Sequence, residues 1–166
     1  DVVFVATEGP VASRFTGLPP VASRSVTGVW YSMAQPPVHT KAIVLDGTSA
    51  GPVLNVAMMS EVAPEYAPPG QALLVAACPG FDDPAMEPLV RSQLRSWWGP
   101  QVDGWRHLRT DAIHHGQPVQ APPFAPKRRV QLADRLFVCG DHRDTGSIQG
   151  ALFSGRRCAE AVAQAI

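Results

Sequence analysis

Near the C-terminus, Gly140-Asp141 is followed, after a short polar stretch, by Ser147-Ile148-Gln149-Gly150-Ala151. An apolar run at residues 135–139 ends at Gly140, where the missing side chain lets another group approach the backbone. Asp141 then stands at the carboxyl end of a strand, the place where open α/β sheets bind ligands. Its carboxylate can accept hydrogen bonds from sugar-like hydroxyls. Ser147 opens a helix whose first amide N–H groups lack intrahelical acceptors and carry partial positive charge. Such an end suits an anion, or a carbonyl gaining negative charge. Further along, Gly150/Ala151, Ser154/Gly155 and Cys158/Ala159 recur at helical spacing, a small face able to pack on a sheet or on a flat ligand. A plain strand–helix unit with an N-capped helix would show the same pattern, and the residues alone leave both readings open.

Other chemistry-bearing residues are sparse. Cys78, Cys139 and Cys158 include no CxxC pair, and an odd, widely spaced set favours free buried thiols in a reducing, cytoplasmic compartment. None of the five histidines joins an HxxxH, HExxH or Cys/His cluster, so no metal site is expected. His114-His115 could serve as a base pair but reads more simply as exposed loop residues, and no catalytic residue is identified. Lys+Arg and Asp+Glu both number 14, which argues against a broad nucleic-acid surface. The basic run Lys127-Arg128-Arg129 reads as a solvated loop, and Trp97-Trp98 as core packing. No apolar stretch approaches the ~20 residues of a membrane span, and no signal peptide is evident.

The elements that must position these residues follow from periodicity. "DVVFVAT" (1–7) is a continuous β-branched run, as in a strand buried on both faces of a parallel sheet. Strand-like runs at 26–33, 41–47, 51–60 and 71–78, each bounded by Pro, Gly or Asp, predict a mostly antiparallel sheet. Residues 60–70 hold too many prolines for a helix and read as an ordered loop. A helix is predicted over 84–98, with Asp83 as cap, Pro84 at its first position and Gly99 beyond its end. A further strand falls within 103–115, and 116–129, with four prolines, is a connector. Residues 11–20 give no clear signal.

"LFVCGDHRDTGSIQGALFSGRRCAEAV" resembles the C-terminal FAD motif of the flavin-containing amine oxidase superfamily, which includes phytoene desaturase-like and protoporphyrinogen oxidase-like proteins. Gly140, Asp141, Ser147, Gly150, Ala151, Ser154 and Gly155 match its order and spacing. The resemblance implies an FAD-dependent oxidoreductase acting on a small molecule by hydride transfer to flavin. It implies cofactor-binding roles for Gly140, Asp141, Ser147, Ile148, Gln149, Gly150 and Ala151. The expected fold is α/β (α+β). Residues 1–14 and 118–166 form the C-terminal strand–helix part of a Rossmann-like FAD domain, and residues 15–117 form a β-rich substrate lobe with a helix. The stretch before the motif has Phe124 as its one aromatic and no cysteine, so the flavin is expected to be non-covalent. No GxGxxG loop is present. A chain that opens inside a strand, headed by Asp, therefore reads as a split, processed or truncated product. Its GxGxxG partner segment lies elsewhere, and the chain alone should not retain FAD. The competing expectation is a non-catalytic β-rich binding or assembly module that kept a flavin-domain remnant.

Overall fold

In the computed structural model, which describes residues 1–165, the chain runs β1 (Val3–Val5), α1 (Gly9–Thr16), β2 (Ser23–Met33), β3 (Val44–Leu45), β4 (Asn55–Met58), α2 (Met59–Val62), β5 (Ala72–Pro79), α3 (Glu87–Trp98), β6 (Arg106–Pro118), β7 (Gln131–Ala133), β8 (Leu136–Val138) and α4 (Ile148–Ala165). It divides into two units, Asp1–Arg24 with His115–Ile166, and Ser25–His114. The sequence placed these boundaries at 14/15 and 117/118. The difference arises because α1 continues to Thr16 and because the Val119 amide donates to the Ala22 carbonyl at 2.8 Å, which ties residues near 22 to the first unit.

The first unit is a three-stranded sheet, order β1-β8-β7, with helices packed on it. β1 and β8 are parallel, pairing Val3 with Leu136 and Val5 with Val138 across more than 130 residues of chain. β7 and β8 form an antiparallel hairpin with an irregular register. Because side chains alternate across a strand, Val5 and Val138 meet Ala12 of α1. Phe137 instead packs with Cys158 of α4. The expectation that residues 1–7 are buried on both faces is corrected: Val3 is 56% and Phe4 50% exposed. β1 is the outer strand of this sheet and has one neighbour, so half of its surroundings are open.

α1 formed where the sequence was unreadable. Pro10 occupies its first turn, where a missing N–H costs nothing, and Gly17 takes a left-handed φ of 69° and donates to the Ser13 carbonyl at 3.0 Å.

The second unit is a five-stranded sheet, order β3-β4-β5-β2-β6. β2–β5, β4–β5 and β3–β4 pair antiparallel, as expected. Thr27, Val29, Tyr31 and Met33 alternate into the interior from β2, and Ala72, Leu74, Ala76 and Cys78 from β5. α3 covers that face with Val90 and Leu94, and Trp97 and Trp98 pack at the edge of this core. The helix begins at Glu87 rather than residue 84. Asp83 does cap, but its carboxylate accepts from the Ala85 amide at 2.8 Å in the turn that precedes the helix. The 60–70 loop contains α2's end and a single 3-10 turn at Pro64–Tyr66. His114 and His115 lie within β6 rather than a loop, and His114 pairs with Asp82.

Candidate functional site

The site grows from the shared end of β1 and β8. Both strands point their carboxyl ends the same way, and the Cys139 amide still donates to Val5 at 3.0 Å. One residue later Gly140 leaves the sheet with φ 145°, a conformation side chains rarely adopt. Its backbone is held by α4: the Gly140 amide donates to Ser154 Oγ at 2.9 Å, and that hydroxyl reaches back to the Gly140 carbonyl at 2.8 Å. Asp141–Arg143 then form one 3-10 turn, closed by the Arg143 amide on the Gly140 carbonyl at 3.0 Å. The room above the Gly140 α-carbon is taken by the His142 ring, since a Cβ there would lie 2.6 Å from Nδ1 and Cε1.

The loop returns to α4 through Thr145. Ser147 is the helix cap: its Oγ accepts from the Gly150 amide at 3.0 Å and shares a hydrogen bond with Thr145 Oγ1 at 3.1 Å. Gly150 is required locally, because a Cβ there would run into the Thr145 carbonyl. Ser147, Ile148 and Gln149 are exposed, Ile148 at 83%, while Ala151 is half-buried. The small face of α4 divides. Ser154 and Cys158 are buried, whereas a Cβ on Gly155 would meet open space.

Asp141 is half-buried and opens into a cavity of about 210 Å³ with His142, Asp144, Arg128, Gln120 and Phe124 in its wall. Two arginines brace this wall. Arg157 donates to the Arg128 and Arg143 carbonyls at 3.0 Å and to Asp144 Oδ2 at 2.9 Å. Arg143 donates to the Arg129 carbonyl. The basic run is therefore more than a solvated loop, because its backbone is clamped although its side chains stay exposed. Burial pushes the His142 imidazole below its ordinary pKa; the Arg143 and Arg128 charges add to this and Asp141 opposes it. Burial likewise lowers the Arg143 pKa, reinforced by Arg128 and Arg157.

Of the sequence-predicted residues, the structure brings Gly140 and Asp141 to the strand end. It sets Ser147, Ile148, Gln149, Gly150 and Ala151 in the cap and first turn of α4. Ser154, Arg157 and His142 were not singled out for a polar role. A serine one small-face step beyond Gly150 was a usable signal for the first; nothing local marked the arginine clamp. Among the described residues no group of His, Cys, Asp and Glu could hold a metal ion, and no helix is long and apolar enough to cross a membrane. Cys78, Cys139 and Cys158 are free thiols.

A parallel strand pair ending in Gly-Asp, followed by a capped helix and joined to an antiparallel lobe, defines the class: a mixed α/β protein. The family model described as flavin containing amine oxidoreductase matches residues 2–163, and the chain belongs to that family. No curated protein matches it. Solved structures share the fold at low identity. A provisionally named protoporphyrinogen oxidase of Exiguobacterium sp. 255-15 is 14% identical with a TM-score of 0.66, over 98% of this chain and 41% of that one. A Pyrococcus furiosus protein is 15% identical with a TM-score of 0.57, over 89% of this chain and 33% of that one. An oxidoreductase from Methanosarcina mazei is 15% identical with a TM-score of 0.53, over 92% of this chain and 37% of that one. The chain thus spans well under half the length of each.

The family uses flavin, and the residues here fit one. An Asp141 carboxylate opens into a cavity of mixed polar and apolar lining, and a buried imidazole beside it has two ring nitrogens without partners. Both are features of a wall built for a hydrogen-bonding ligand.

Proposed function

We propose that this chain supplies the isoalloxazine-side part of the flavin site, and the substrate lobe, of an FAD-dependent oxidoreductase. The observation that carries the reading is a Gly140-Asp141 strand end tied to α4 through Ser154, in a chain matched along residues 2–163 by the flavin amine oxidoreductase family. FAD, when bound, takes up hydride from an organic substrate. Asp141 accepts hydrogen bonds from cofactor hydroxyls. The positive end of α4, with the Ile148 and Gln149 amides in its first turn, favours negative charge on the reduced cofactor. Ser147 and Gly150 hold that turn in place, and Gly140 lets the chain turn sharply away from the sheet. The unit Ser25–His114 carries the substrate surface for a small molecule.

The ADP half of the cofactor is held by a GxGxxG segment outside residues 1–166, with FAD bound non-covalently. Residues 1–166 alone do not retain it, because a partial set of contacts does not offset the ordering cost of so large a ligand. The free thiols Cys78, Cys139 and Cys158 support a reducing compartment, the cytoplasm, as its setting.

The test is FAD titration of the whole protein, followed by flavin fluorescence. Asp141→Ala should weaken binding about tenfold to a hundredfold, the equivalent of roughly 1–3 kcal/mol for a buried hydroxyl left unpaired. Arg156→Ala, whose guanidinium lies over Phe153 and near Glu160 further along α4, should leave affinity unchanged. Equal FAD affinity in parent and Asp141→Ala would sink the reading.

A further inference from the structure

His142 follows Asp141 directly, yet its side chain turns inward. The residue is 4% exposed, and neither Nδ1 nor Nε2 has a hydrogen-bond partner. Asp141 Oδ1 lies 3.9 Å from Nδ1, beyond hydrogen-bond reach. The backbone is shaped to admit this ring, because the Gly140 conformation and its missing Cβ are what leave room for Nδ1 and Cε1. Folded proteins seldom bury even one unpartnered polar side-chain atom, and here two sit on a single ring. The ring borders the same cavity as the Asp141 carboxylate.

The charge state narrows what the ring can bind. The charged groups around it are Asp141 and Arg143 on its own turn, Arg128 from the connector, and Asp144 across the cavity. Burial, Arg143 and Arg128 all disfavour the imidazolium, and Asp141 alone favours it. At neutral pH the ring is therefore neutral, with one N–H donor and one acceptor nitrogen. A neutral imidazole beside a carboxylate that only accepts is complementary to hydroxyls, which donate and accept in turn.

We propose that His142 is a cofactor-positioning residue that hydrogen-bonds a hydroxyl of the flavin's polyol chain, next to the hydroxyl held by Asp141. This rests on the flavin reading above. In that arrangement the two residues read successive hydroxyls, and the His142 ring orders the chain that links the flavin ring to its phosphates.

The experiment compares the whole protein with His142→Phe, His142→Asn and Asp141→Ala by FAD titration and by thermal unfolding without FAD. His142→Phe keeps the ring's bulk and removes two unpartnered polar atoms. It should keep or raise the unfolding temperature of the cofactor-free protein while weakening FAD about tenfold. His142→Asn, with one donor and one acceptor, should bind FAD within about threefold of the parent. Parent affinity should fall on acidification, once pH drops through the lowered titration of the ring and it gains a proton and loses its acceptor, and His142→Asn should show no such fall. If His142→Phe and parent bind FAD alike while Asp141→Ala is weakened, the proposal is overturned and the flavin site stands. If neither variant weakens binding, the flavin reading falls with it. Should His142→Phe fail to fold, a pH profile of the parent identical to that of His142→Asn would also overturn the proposal.

Discussion

Ser154→Ala is the sharpest probe of how α4 holds the strand end. Ser154 is fully buried, at 0% exposure. Its Oγ accepts from the Gly140 amide at 2.9 Å and has one hydrogen to offer, shared between the Gly140 carbonyl at 2.8 Å and the Ala151 carbonyl at 2.9 Å. Removing the hydroxyl does not strand the carbonyl of Gly140, which still accepts from the Arg143 amide at 3.0 Å. It does strand the Gly140 N–H, for which no other acceptor is available at that turn. One orphaned buried donor costs about 1–3 kcal/mol. For a chain of this size each kcal/mol moves the midpoint by about 2–4 °C, so a drop of about 2–12 °C is expected. Thermal unfolding followed by circular dichroism measures it, with Ala159→Ser on the exposed face as a control within about 0.5 kcal/mol of parent. Hydrogen exchange should show faster exchange at the Gly140 amide. A Ser154→Ala midpoint within 1 °C of parent, with Gly140 still protected, would refute the idea that this hydroxyl joins helix to strand.

Gly150→Val should abolish FAD binding and lower stability more than Asp141→Ala does, because any Cβ at 150 meets the Thr145 carbonyl and the cap must open; titration and unfolding of both variants decide it. Gln93→Ala should cost about 1–3 kcal/mol for each of two stranded groups, since the Gln93 amide accepts from the Val53 N–H at 2.7 Å and donates to its carbonyl at 3.0 Å. Urea unfolding with an unchanged slope checks this. Burial pushes the Cys78 and Cys158 thiols up to about 11 from an ordinary 9.0. The unfolded chain gives up these protons first, so stability should fall as pH rises from about 9 to about 11 and level off above. Urea midpoints across that range should show a shallower fall in Cys78→Ala.

How much was legible depended on how local each feature is. The strand–Gly-Asp–Ser–helix run was readable because its signals lie within one short segment: an apolar strand, a residue without a side chain, a cap and a small-residue face. The antiparallel lobe was readable because alternation in β2 and β5 states which face is buried. Resemblance joined these pieces into a family that the chain's fold and its match over residues 2–163 bear out. Asp83 was legible as a capping residue, but its place was not, because its carboxylate closes the turn before the helix rather than the helix itself.

What only the tertiary structure decided is where distant groups meet. Val3 and Phe4 look identical to core residues in sequence, and only their place on an outer strand leaves them half-exposed. Nothing local in the sequence marks Arg157, and only the fold brings the Arg128 and Arg143 carbonyls to it. Nothing in the sequence marks His142 as buried, yet the turn at Gly140 folds its ring over the backbone and away from water. Sequence patterns carry the preferences of neighbours, whereas burial, pairing and pKa depend on atoms that the chain brings together from far along its length.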